Sequence, residues 1–279
     1  MKYKYYCRVD FDPYVLNFLQ SNKIKYDTCS LTKTLLFDLY SDTVQCDELL
    51  AYIQTLPYHL IDKEAVFSRQ EMEKANWYLL HVFRMGIETS NVKFTYDAQC
   101  PYTTVYGMER HRHLYQINPF VSKKTPKWKN RYHFCSPETG GMTTIFCSNY
   151  AKETIIRGGI NGVGFMPVLK SDLKSTNPEV SQLVFDYKLP LESYTFVGDY
   201  EEEVCPFCGK INYCFLNPQC DNIRLNLDTI PRGIDAFGSK ILFGWGFGYE
   251  PIVISKKFYN LIINEINENP KHLSCIPIG

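Results

Sequence analysis

The sequence predicts an α+β protein: mixed sheets with amphipathic helices, two related strand-helix-strand units and a zinc-knuckle insertion. Three observations carry this. Aromatic residues make up 15% of the 279 positions, led by 21 Tyr and 18 Phe, and they recur in short alternating runs that suit sheets with large contact surfaces. Segments of helical periodicity, most of them headed by Asp or Ser, sit between those runs. Two distant stretches, 145–169 and 253–278, repeat one pattern.

Taken in order, residues 2–9 alternate and read as a strand. Asp12-Pro13 opens a helix to about residue 22, with Asp12 as N-cap and Pro13 in the first turn. A strand over 34–40 and a helix over 46–55 that stops before Pro57 complete a β-α-β-α unit, residues 1–60. The rest, 61–279, reads as one α+β region. In it, Ser68 and Glu71 have capping-box spacing, and Met72, Ala75, Trp77, Leu79 and Leu80 supply the apolar surface of the helix that follows. Residues 92–96 and 143–147 read as strands, with short strands and loops over 102–136.

The repeated pattern is I-F-C-S-N-Y-A-K-E-T-I-I followed by G-I-N-G-V-G-F-M-P-V-L, and V-I-S-K-K-F-Y-N-L-I-I-N-E-I followed by H-L-S-C-I-P-I. Each copy gives a strand, a serine N-cap (Ser148, Ser255), an amphipathic helix, a turn and a strand ending in Pro-Val or Pro-Ile. Between them, Asn177-Pro178 opens a loop, 180–185 is apolar, 199–203 is acidic and 222–227 alternates as a strand. The Gly-aromatic run 243–249 reads as a bulged, tightly packed strand.

Charge is balanced, 30 basic against 30 acidic side chains, so any binding to nucleic acid or an anionic surface has to come from a local patch. The amino terminus has no apolar core of a secretion signal, and no run approaches the ~18 apolar residues of a membrane span. Eleven cysteines, most of them single within apolar patterns, suit a reduced cytoplasmic protein better than a disulfide framework.

The densest chemistry lies at 205–220. Cys205 and Cys208, followed by Gly209, form a turn whose two thiolates can share one tetrahedral zinc. Cys220 and Cys214 would complete the site, or Cys100 in place of Cys214. Four thiolates leave no open position, so such a zinc is a structural cofactor. Buried free thiols and a redox Cys-Pro-Phe-Cys are the competing readings; the redox motif should open a helix, whereas a β-like stretch follows here. The zinc deaminase signature fails, because no His-x-Glu precedes the pair.

A second cluster interleaves Lys123, Lys124, Lys127, Trp128, Lys129 and Arg131, a pattern that suits phosphate neutralisation and base stacking on a single strand. Its bland counterpart is an edge strand guarded by lysines. His111 and His113, two apart beside Glu109, offer an enzyme site of unknown class or, more simply, a solvated basic strand. Glycines 158–164 match neither a P-loop nor a dinucleotide fingerprint and serve as a helix C-cap and turn. No G-x-S-x-G elbow and no H-E-x-x-H helix is present, so no catalytic residue is assigned.

The Cys-Pro-Phe-Cys-Gly turn, its acidic approach, Arg232-Gly233-Ile234-Asp235-Ala236-Phe237-Gly238 and the ending V-I-S-K-K-F-Y-N-L-I…C-I-P-I together resemble bacterial double-CXXCG proteins and related immunity proteins of polymorphic toxin systems. The resemblance covers the last eighty or so residues and departs from the family in having a single Cys-x-x-Cys-Gly. It implies a cytoplasmic, non-enzymatic protein-binding module whose partner is a protein such as a cognate toxin; the lack of a long apolar run implies no membrane association, and nucleic-acid binding through 123–133 is the alternative.

Overall fold

The aromatic alternation at the amino terminus forms β1 (Lys2–Asp10), and α1 (Pro13–Ser21) follows it with Asp12 as N-cap, its Oδ1 accepting from the Val15 N–H at 3.0 Å. The computed structural model describes residues 2–82, 85–87, 95–96, 103–105, 108–110, 114–115, 121–122, 126–137, 144–170, 172, 174–204, 211–215, 223–243, 250–270 and 272–278. They divide into two units, Met1–Lys74 and Ala75–Gly279.

The first unit continues with β2 (Tyr26–Cys29), β3 (Thr34–Tyr40), α2 (Cys46–Ile53), β4 (His59–Val66) and α3 (Arg69–Lys74). The sheet order is β2-β3-β1-β4 with every pairing antiparallel, the arrangement of a ferredoxin-like split β-α-β unit. One sheet face, Cys7, Val9, Leu35, Phe37 and Leu39, packs under Val15, Phe18 and Leu19 of α1 and Leu49 and Ile53 of α2. The other face carries no helix of this unit. The boundary expected at residue 60 falls inside β4, which pairs with β1 along its whole length. β4 alternates exposed and half-buried positions, so its apolar signal is weak.

The helix expected after Ser68 is confined to α3. Its capping box forms, with Ser68 N–H donating to Glu71 Oε2 at 2.7 Å and Glu71 N–H to Ser68 Oγ at 3.3 Å. Trp77, Leu79 and Leu80 belong instead to a strand, β5 (Trp77–Val82). That strand is interior to its sheet, and a strand buried on both faces reads as a continuous apolar run that periodicity does not separate from a helix.

The second unit then runs β6 (Met85–Ile87), β7 (Thr95–Tyr96), β8 (Thr103–Val105), β9 (Met108–Arg110), β10 (Leu114–Tyr115), β11 (Val121–Ser122), β12 (Phe134–Pro137), β13 (Ile145–Ser148), α4 (Asn149–Arg157), β14 (Val163–Lys170) and β15 (Thr176–Phe185). It closes with β16 (Lys188–Leu189), β17 (Tyr194–Phe196), β18 (Tyr200–Val204), β19 (Ile211–Phe215), β20 (Ile223–Leu225), β21 (Ala236–Ser239), β22 (Leu242–Phe243), β23 (Ile252–Ser255), α5 (Lys256–Asn260), a π-helical turn (Leu261–Glu265) and β24 (Leu273–Ile278). Two larger sheets dominate, ordered β11-β14-β15-β13-β12-β6 and β16-β21-β23-β5-β24.

Both expected strand-helix-strand units form, with Ser148 Oγ accepting from Ala151 N–H and Ser255 Oγ from Phe258 N–H, each at 3.2 Å. The loop expected at Asn177-Pro178 is part of β15 instead. Pro178 is accommodated where the pairing of β14 with β15 slips between Pro167 and Leu169, so no ladder donor is lost there. Cys135, Phe146, Val168 and Val180 form one core, and Leu79, Leu189, Tyr194, Leu225, Phe237, Val253 and Ile278 another.

Candidate functional site

The helix-free face of the first sheet carries exposed charged and aromatic side chains. Cross-strand registers lay it out in rows: Leu36, Arg8 and Leu60; Asp38, Tyr6 and Asp62; Tyr40, Lys4 and Glu64. Period-2 alternation explains the arrangement, because the same strands that send Cys7, Val9, Phe37 and Leu39 inward must send these residues outward. Tyr6, Leu36, Tyr40 and Leu60 are 40%, 36%, 37% and 49% exposed, so apolar and aromatic side chains are interspersed with the charged ones.

Most charges on this face are already matched. Lys4 Nζ lies 2.7 Å from Asp38 Oδ2 and 4.1 Å from the centre of the Tyr6 ring, and Lys2 lies 3.0 Å from Asp42. Tyr6 donates its hydroxyl to Glu64. Burial pulls the Lys4 ammonium down, but hydrogen bonds to Asp38 and Tyr6 outweigh it and leave the group above the ordinary lysine range. The hydrogen bond to Glu64, reinforced by burial, raises the Tyr6 phenol.

Arg8 differs. Its Nε is buried with no hydrogen-bond partner among the described residues, and its guanidinium sits 6.0 Å from the centre of the Tyr58 ring. A shielded guanidinium donor left without an acceptor is costly, and a planar carboxylate is the acceptor that fits it best. Sequence reasoning passed over Arg8. The signal was available in Lys2, Lys4, Tyr6 and Arg8, which occupy the outward phase of one strand.

The residues expected to bind metal lie mostly outside those described: Cys100, Cys205, Cys208 and Cys220. Cys214 belongs to β19, where its backbone pairs with Glu201 of β18. Val204 pairs with Ile211, so the segment carrying Cys205 and Cys208 links two adjacent antiparallel strands. Among the described residues no group of three or more His, Cys, Asp or Glu side chains is placed to hold a metal. Of the described cysteines, Cys7, Cys29, Cys46, Cys135, Cys147 and Cys275 are free thiols.

Of the basic-aromatic cluster, Lys123 and Lys124 lie outside the described residues, while Lys127, Lys129 and Arg131 are exposed. Trp128 is half-buried, packs against the core of Cys135, Phe146, Val168 and Val180, and donates its indole N–H to the Glu179 carbonyl at 3.0 Å. The indole is thereby engaged in packing and in a hydrogen bond to the backbone of β15. His111 and His113 lie outside the described residues. No helix among the described residues is long and apolar enough to cross a membrane. Comparison with protein-family models and with curated proteins finds no match to this chain.

Proposed function

We propose that the chain is a non-enzymatic protein-binding module whose docking surface is the helix-free face of the β2-β3-β1-β4 sheet. The observation that carries this reading is Arg8: a cation with an unmet buried donor, set between Leu36 and Leu60. Interface hot spots are enriched in arginine and tyrosine held among apolar neighbours; Tyr58 lies against this arginine and Tyr6 is the next outward residue of β1. The partner is a protein that presents an Asp or Glu side chain flanked by apolar groups. The resemblance in the last third supports a bacterial immunity role against a cognate toxin, and the free thiols support a reducing, cytoplasmic setting.

A structural zinc on Cys205, Cys208, Cys220 and either Cys214 or Cys100 would brace the β18-β19 connection. Purified chain should then carry about one zinc, and replacing Cys205 and Cys208 with serine should remove it together with thermal stability. Metal-free protein with two readily titrated thiols would count against the zinc.

Docking is tested by co-expressing the chain with the product of the adjacent gene and measuring the complex by calorimetry. Arg8→Glu should weaken it at least a hundredfold, and Leu60→Asp by a similar factor, with both variants retaining the wild-type unfolding curve. Unchanged affinity in both variants would remove the sheet face as the docking site.

A further inference from the structure

The two large sheets of the second unit are built from equivalent parts in equivalent registers. Read in one direction their orders are β6-β12-β13-β15-β14 and β16-β21-β23-β5-β24, with β11 added only to the first. The serine that caps each helix, Ser148 or Ser255, sits opposite Val180 of β15 or Trp77 of β5. One residue further along those central strands, Ser181 faces Cys147 and Pro167, while Tyr78 faces Ile254 and Pro277. At the far end Phe185 faces Val163, and Val82 faces Leu273.

The outer strands agree as well. Phe134 pairs with Cys147 and Ala236 with Ile254; Ser136 then pairs in parallel with Met85, and Gly238 with Lys188. Hydrogen bonds repeat at the same places. Ser148 N–H donates to the His133 carbonyl at 2.9 Å and Ser255 N–H to the Asp235 carbonyl at 2.7 Å, and each serine Oγ meets that same residue's side chain at 2.9 Å. In sequence, the β6–β12 interval contains Cys100-Pro101-Tyr102 and the β16–β21 interval Cys205-Pro206-Phe207.

Contacts between the halves are reciprocal. Two residues past its cap, Tyr150 donates its hydroxyl to the Glu265 carbonyl at 3.1 Å, and Lys257 donates Nζ to the Gly159 carbonyl at 2.5 Å, so the start of each helix meets the end of the other. Asp235 and Ala236 N–H groups donate to the Asn161 carbonyl after α4, and His133 and Phe134 N–H groups to the Glu268 carboxylate after the second helix. These are the relations of a two-fold axis between antiparallel helices.

In chain order one copy is β5-β6-β12-β13-α4-β14 and the other β15-β16-β21-β23-α5-β24. The first strand of each copy lies in the sheet of the other. We infer that Ala75–Gly279 is a fused dimer of one duplicated repeat with its leading strands exchanged, so that neither repeat completes a sheet from its own residues. Closed two-fold association and exchange of an identical element are the low-cost route by which such a pair arises. The exchange ties both sheets into one cooperative unit, because losing either repeat removes the central strand of the other sheet.

Hydrogen exchange on the full chain, resolved by peptide, tests this. Phe146→Ala, buried in the first sheet, should lower the protection of β5, β23 and β24 amides by the same factor as those of β13, β14 and β15. The reverse variant, Val253→Ala in the second sheet, should lower β13–β15 protection equally. Loss confined to the sheet that carries the substitution, in either variant, would overturn the inference. Should Phe146→Ala prevent folding, Phe146→Leu gives the same readout at smaller amplitude.

Discussion

Replacing Gly158 with alanine should destabilise the protein, although the position asks for no glycine conformation. Gly158 caps α4 with φ −72° and ψ −4°, an ordinary right-handed geometry, so alanine on backbone grounds alone would gain roughly 0.5–1 kcal/mol. The obstacle is steric: a Cβ there would lie 2.1 Å from Leu261 Cδ1 and 3.2 Å from the Thr154 carbonyl oxygen. Carbon atoms rest about 3.5–4.0 Å apart, so Leu261 would have to retreat by about 1.5 Å. Leu261 is only 5% exposed and has little room to do so. Overpacking of this kind costs about 1–3 kcal/mol, which leaves a net loss of up to about 2.5 kcal/mol.

The partner change separates this cause from others. Leu261→Ala alone should cost about 2–4 kcal/mol, but in its background the clash disappears and Gly158→Ala should become neutral or stabilising. Urea unfolding of the four species, followed by circular dichroism at constant m value, should therefore show a coupling of about 1–3 kcal/mol. Additivity within about 0.3 kcal/mol, or a stabilised single alanine variant, would refute the helix contact on which the argument rests.

Three further outcomes follow from geometry already described. Ser148→Ala removes the α4 cap together with its His133 contact and should cost about 1–2 kcal/mol in urea unfolding, whereas Ser148→Thr should recover most of it. Burial lowers the His81 imidazole to about 4, so the unfolded chain takes up its proton first and stability should fall as pH drops from 6.5 toward 4. With its partial exposure allowed for, the loss at pH 5 should be about 1–2 kcal/mol, and His81→Gln should flatten that window; parallel pH profiles would contradict it. Among the described thiols, Cys29 is lowered by hydrogen bonding to Thr32 while burial raises Cys7 and Cys275 to about 12, so peptide-resolved alkylation at pH 8 should label Cys29 well before the other two.

Local chemistry made much of this fold legible. Asp12-Pro13, Ser148, Ser255 and the Ser68/Glu71 box each announce a helix start in the identity of one or two residues, and all four starts form where the spacing puts them. Strands whose identity depends on their neighbours were harder to read. Trp77–Val82 acquires its conformation from β23 and β24, nearly two hundred positions away, and β4 from its pairing with β1. Trp128 illustrates the same limit at the level of a site. Its basic flanks suggest a surface role, and only Phe146, Val168 and Val180, distant in sequence, engage its ring in packing. Arg8 was hidden because a missing acceptor is a property of three strands together.

The exchanged strand also bears on how the chain is made. W-Y-L-L-H-V leaves the ribosome long before Ile252–Ser255 and Leu273–Ile278 exist to flank it. At about 5–20 residues per second that interval lasts on the order of 10–40 s, during which an aromatic, uncharged hexapeptide of high β-propensity stands without its partners. Synthesis therefore sets a demand that equilibrium stability does not: an agent that shields this segment until the last strand emerges, or a translation rate that keeps the wait short.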